Sequence, residues 1–134
     1  MKEVTLYTDG SCRPNPGPGG WAYILKYGEH ERENYGGVAN GTNNQMELMA
    51  VIEGLKAIKE PCIVYLESDS EYIVNGVNTW MHNWAKRGWK MNADLWKEVF
   101  ELSKMHDIRA KWIQSHNGHP HNERCDRLAK AATW

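Results

Sequence analysis

The chain has little net charge, few cysteines and no long apolar run, and each shortage narrows what it can do. A formal charge of −1 over 134 residues argues against a protein that coats nucleic acid through a global positive field, so any such affinity must come from a local patch. Cys12, Cys62 and Cys125 are odd in number and include no Cys-x-x-Cys pair. That disfavours a disulfide framework and makes a reducing cytoplasm the expected compartment. No apolar run approaches the ~18 residues of a membrane span, and the amino terminus reads as a polar lead-in to a strand rather than a signal peptide. A soluble, unexported protein with no membrane partner is expected. The glycine-rich residues 17–20 are not followed by Gly-Lys-Ser/Thr, which argues against a nucleotide-binding P-loop. Repeats, linkers and low-complexity segments are also missing.

With 41% hydrophobic residues, the chain is expected to fold as one domain over residues 1–134 around a single core. Val4, Leu6 and Thr8 alternate with Thr5, Tyr7 and Asp9, predicting a strand that ends at Asp9. The Gly/Pro run from Arg13 to Gly20 breaks the chain, and strands over 21–27 and about 32–38 form an antiparallel meander through a turn near Gly28. After a polar break over 40–44, Leu48, Val51, Ile52, Leu55 and Ile58 fall at helical spacing, with Thr42 or Asn43 as N-cap. Residues 63–68 are too few for a helix and read as a buried strand running up to Asp69. The helix before it makes parallel pairing with the first strand natural, which places Asp9 and Asp69 at one carboxyl edge, where such sheets bind ligands. Residues 70–105 read as helical with a break over 88–92, and Asn92 is expected to cap the helix carrying Leu95, Trp96, Val99, Phe100 and Leu102. A strand over 108–114 and a helix with Cys125, Leu128, Ala129 and Ala132 on one stripe complete the order β-β-β-α-β-α-α-β-α. This is an α/β arrangement, a mixed sheet flanked by helices.

Asp9, Glu47, Asp69 and Asp126 each stand at an element end or beside an apolar stripe, where an unpaired charge is costly. One such acid is as readily a helix cap or dipole partner. Several that converge suggest hard divalent cations with oxygen ligands, and so metal-dependent phosphodiester chemistry. Without metal they should repel one another, raising at least one pKa. Between Trp80 and Lys97, the basic residues Lys86, Arg87, Lys90 and Lys97 outnumber Asp94 and interleave with Trp80, Trp84 and Trp89. The pattern suits phosphates and sugars, although Trp84 and Trp89 are expected to pack between helices.

Six motifs follow one another along the chain: Tyr7-Thr-Asp-Gly-Ser11, Asn15-Pro-Gly-Pro-Gly-Gly20, Thr42-Asn-Asn-Gln-Met-Glu-Leu48, Ser68-Asp-Ser70, Trp84-Ala-Lys-Arg-Gly-Trp-Lys90 and Gly118-His-Pro-His-Asn-Glu-Arg-Cys-Asp126. In these residues the chain resembles ribonuclease H of the type 1 class over essentially its full length. The resemblance implies a five-stranded mixed sheet with helices, and endonucleolytic cleavage of the RNA strand of RNA·DNA hybrids. Products with 5′-phosphate and 3′-hydroxyl ends and little sequence preference are implied with it. It assigns Asp9, Glu47, Asp69 and Asp126 to two divalent ions, normally Mg²⁺ with Mn²⁺ as a substitute, and His116 to proton transfer or product release. It places Asn15, Asn43, Asn44 and Gln45 against the RNA strand, Tyr72 and Trp80 against deoxyribose, and Thr42 and Asn92 at a phosphate of the DNA strand. Lys86, Arg87 and Lys90 form its basic patch, and a monomer is expected. The segment 90–95 is shorter and less basic than the handle loop of many bacterial members, and Asn40 stands where an arginine often helps bind phosphate, so modest affinity is expected.

Two other readings stay open. One is a catalytically silent hybrid-binding protein on the same fold. The other is a zinc module using His116, His119, His121 and Cys125, whose spacing lacks the paired arrangement of common structural sites.

Overall fold

The period-two stretches form strands, and the first three run longer than their side-chain alternation suggests. In the computed structural model, which describes residues 1–89, 91–114 and 118–133, β1 spans Lys2–Cys12, β2 Gly17–Tyr27 and β3 His30–Gly41. Antiparallel pairing of β1 with β2 continues to Cys12 opposite Gly19. Asp9 is therefore inside β1 rather than at its end, and residues 17–20 pair instead of breaking the chain. Backbone ladders need no side-chain pattern, so a glycine-rich segment can extend a strand that alternation does not mark.

Helix α1 spans Asn43–Lys56 and begins with a complete capping box. Thr42 Oγ1 accepts the Gln45 N–H, and Gln45 Oε1 accepts the Thr42 N–H, each at 3.1 Å, so two otherwise orphaned donors are satisfied. Strand β4 is Cys62–Ser68. Helix α2, Glu71–Asn75, passes through a π-helical turn at Gly76–Trp80 directly into α3, Met81–Arg87. Then come α4 at Ala93–Ser103, β5 at Asp107–Trp112 and α5 at Pro120–Ala132. β5 ends two residues before the predicted boundary, where its pairing with β4 stops at Ser68 opposite Trp112. Asn92 is the N-cap residue of α4 but does not cap it with its side chain. It lies at φ 57°, and its Nδ2 donates to Tyr72 Oη at 3.1 Å.

The sheet order is β3-β2-β1-β4-β5, antiparallel across the first three strands and parallel from β1 to β4 to β5. The expected parallel crossover is present, with Tyr7 opposite Glu67; Asp9 and Asp69 lie two residues further along each chain. One face is covered by α1, the α2–α3 run and α4, whose Leu48, Val51, Leu55, Ile73, Val77 and Trp96 meet Leu6, Val64 and Leu66. The other face carries α5, where Cys125 and Ala129 pack on Ala22 and Ile24. Among the described residues no helix is long and apolar enough to cross a membrane.

Two glycines set the spacing of these layers. A Cβ on Gly10 would collide with the α1 backbone at Met46 and Glu47, and one on Gly20 would collide with the Ala129 carbonyl of α5. Without side chains, β1 and β2 admit a helix backbone at contact distance.

Candidate metal centre and nucleic-acid interface

The close approach at Gly10 brings Glu47, in the second turn of α1, next to Asp9. Register brings Asp69, between β4 and the Ser70 cap of α2, to the same edge. Ligand oxygens of Asp9, Glu47 and Asp69 lie within 4.8 Å of one another, the only such group of acids, histidines or cysteines found among the described residues. Asp126, on the face of α5 above β1, hydrogen-bonds the Asp9 carboxyl group and pairs with Lys130 Nζ at 3.0 Å. All four line one cleft of about 440 Å³ with Arg13, Asn43 and Lys130.

The electrostatics are those of a site built for positive charge. Asp9 and Glu47 are 6% and 8% exposed, and Glu47 Oε2 is buried without a hydrogen-bond partner. Burial foremost, then the Asp69 charge, pushes the Asp9 carboxyl up to about 8, despite the 2.9 Å bond that Oδ1 accepts from the Gly10 N–H. Burial and the charges of Asp9 and Asp69 likewise hold Glu47 well above the carboxylate range. An orphaned buried oxygen among crowded carboxylates, with hard oxygen donors only, fits a divalent cation.

Of the residues assigned to substrate, Asn43 lines this cleft. Asn15, Thr42, Asn43, Asn44, Met91 and Asn92 line a second hollow of about 420 Å³, so residues assigned to opposite strands share one cavity. Asn43 Oδ1 accepts the Cys12 N–H at 2.7 Å, and Asn15 Oδ1 accepts the Asn43 N–H at 3.1 Å. With their oxygens committed, both amides have their NH₂ groups as the remaining donors, and the capping box leaves Gln45 in the same position. Tyr72 Oη accepts from Asn92 Nδ2 and from Trp96 Nε1 at 2.8 Å, and Trp80 is 39% exposed. Lys86 and Arg87 project from the last turn of α3. Trp84 and Trp89 pack against Trp96 and Phe100, as expected. His116 and Lys90 lie outside the described residues.

The described members of the zinc quartet do not converge. The His121 ring stacks on Tyr7 at 4.5 Å and bonds Glu31 at 2.9 Å. Cys125 Sγ faces the Ala22 carbonyl inside the core at 3.2 Å, and burial holds its thiol protonated. Pattern reading missed three residues at the carboxylates. Lys130 has a signal, the i, i+4 spacing from Asp126. Arg13 and Trp112 have none, because only the tertiary fold brings Trp112 Nε1 to donate to the Asp69 carbonyl at 3.0 Å.

Known proteins are similar to this chain in sequence and in fold. The family model described as RNase H matches residues 1–133. A ribonuclease H of Campylobacter jejuni subsp. jejuni serotype O:23/36 is 54% identical, covering 98% of this chain and 92% of that protein. One of Cupriavidus metallidurans is 53% identical, covering 96% and 94%. The crystal structure of LC9-RNase H1, a type 1 RNase H with the type 2 active-site motif, superposes with a TM-score of 0.90 at 33% identity, over 98% of this chain and 72% of that one. LC11-RNase H1, solved with an RNA/DNA hybrid, shares the fold with a TM-score of 0.70 at 21% identity, over 96% and 95%. The sheet order, the acidic cluster and the near full-length matches agree: this chain belongs to the ribonuclease H family.

Proposed function

We propose that the chain is an endonuclease that hydrolyses the RNA strand of RNA·DNA hybrids, leaving 5′-phosphate and 3′-hydroxyl ends. The observation that carries this reading is the convergence of Asp9, Glu47 and Asp69, with Asp126 bonded to Asp9. Two Mg²⁺ ions, or Mn²⁺ in their place, held by these carboxylates would supply Lewis acidity at the scissile phosphate and at an attacking water. Asp9 and Glu47 release their protons as that charge is loaded. The Trp112 N–H and the Ser70 cap hold the backbone around Asp69, so its carboxylate needs little reorganisation. His116 carries a proton to or from the reacting oxygens or helps the product leave.

Recognition follows from fixed donors. The amides of Asn15, Asn43, Asn44 and Gln45 suit 2′-hydroxyl lone pairs and minor-groove acceptors, which report sugar and shape more than sequence. Tyr72 and Trp80 meet the deoxyribose, Thr42 and Asn92 a DNA phosphate, and Lys86, Arg87 and Lys90 the backbone. One chain supplies all four carboxylates, so residues 1–134 act as a monomeric catalytic domain, and three free buried cysteines suit the cytoplasm.

The test is cleavage of one sequence as hybrid, RNA duplex, DNA duplex and single-stranded RNA, with Mg²⁺, with EDTA, and with Asp69→Asn. Cutting confined to the RNA of the hybrid, abolished by EDTA and by the substitution, is expected. Equal cutting of all four, or binding without cutting, overturns the reading. His116→Ala should slow turnover and spare hybrid binding.

A further inference from the structure

Beside the carboxylate cleft lies a smaller hollow of about 230 Å³, lined by Ser11, Arg13, Lys130 and Thr133. Three of these, Ser11, Arg13 and Lys130, also line the carboxylate cleft, so the two hollows adjoin. No acid lines the smaller one. Arg13 is exposed and takes part in no ion pair among the described residues. Its backbone is fixed, because its N–H donates to the Pro18 carbonyl at 3.2 Å. The Thr133 hydroxyl is committed to the Ala129 carbonyl at 3.1 Å and serves as a wall, which leaves the Ser11 hydroxyl and the two cations as donors.

Charge decides what such a hollow takes. Lys130 is paired with Asp126, but once divalent ions offset the four carboxylates, the Lys130 ammonium and the Arg13 guanidinium are both surplus at the rim. An arginine with a free planar fork beside a lysine matches a phosphodiester. We propose that Arg13 and Lys130 form a phosphate subsite that holds an RNA-strand phosphodiester next to the one that is cut. The proposal rests on the hydrolase reading above. It gives this nearly neutral chain an anchor for the RNA backbone at the reaction site itself, separate from the basic end of α3.

The experiment compares the native protein with Arg13→Gln and Arg13→Lys. Hybrid affinity is measured with Ca²⁺ in place of Mg²⁺, and KM and kcat are measured with Mg²⁺. For Arg13→Gln we expect hybrid Kd and KM to rise about three- to tenfold, kcat to hold within about twofold, and the slope of log K against log salt to become shallower by roughly 0.7–0.9, the loss of one phosphate contact. Arg13→Lys should restore most of the slope. A single neutral methylphosphonate, walked along each strand, then locates the contact. One RNA-strand position should weaken native binding and leave Arg13→Gln unaffected. If that position falls on the DNA strand, or if Arg13→Gln keeps the native salt slope and the native sensitivity everywhere, the subsite is refuted. A native protein that cuts no hybrid would overturn the hydrolase reading instead, so the two failures are distinguishable.

Discussion

Asp9 and Glu47 are carboxyl groups kept where their ionised forms are disfavoured, and this has a sign in stability. The folded Asp9 carboxyl sits near 8 against an ordinary value of 3.8. Between those values the native state binds more protons than the unfolded chain, so stability falls as pH rises through that window. In EDTA, the urea midpoint should drop between about pH 5 and about pH 8.5, and Asp9→Asn should flatten the drop and unfold later at the upper pH. Equal pH dependence in both proteins would refute the assignment. The same variant should lose cleavage, so stability and activity trade against each other at one atom group. Tyr72 offers a second test. Its hydroxyl accepts from the fully buried Trp96 indole and from Asn92, so Tyr72→Phe should cost about 1–3 kcal/mol in denaturant unfolding by orphaning the indole N–H. The four acids were legible as candidates, but not the order of their burial, because exposure depends on which backbone crosses which.

At the scale of elements, the start of α1 and the glycine of β1 set the site together. Gly10→Ala should force α1 away from β1, lowering stability and weakening Mg²⁺ binding measured by calorimetry, even though no acid is changed. Thr42→Ala should cost about 1 kcal/mol through the lost cap, and Thr42→Ser should recover most of it. Element type and parallel pairing could be read from periodicity and from the length of the crossover. Boundaries could not: β1 through Cys12, β2 from Gly17 and β3 to Gly41 are decided by partner strands. Asn92 has the composition of a cap, yet tertiary bonding to Tyr72 takes its side chain. The π-helical turn at Gly76–Trp80 likewise has no pattern of its own, since the buried Ile73, Val77 and Met81 recur at i+4, a spacing that an α-helix also allows.

Across the whole molecule, the carboxylates lie on β1, α1, the β4–α2 junction and α5, elements from both faces of the sheet and from its edge. A divalent ion that binds all of them staples these layers, so Mg²⁺ should raise the melting temperature of the native protein in proportion to log concentration and should do less for Glu47→Gln. An equal rise in both would separate metal binding from this cluster. Helix α5 is also held to β3 by Glu31, which accepts from Arg124 at 2.8 Å and meets His121, while Arg124 reaches Glu33 at 3.1 Å. Hydrogen bonds from His121 and Arg124 draw the Glu31 carboxyl down to about 2. The placement of the four acids also bears on the order of synthesis. During translation Asp9, Glu47 and Asp69 leave the ribosome long before Asp126, and α5 seats on β2 only after Ala129 has emerged. A half-made chain therefore holds an incomplete set of metal ligands, which is completed only when α5 has docked.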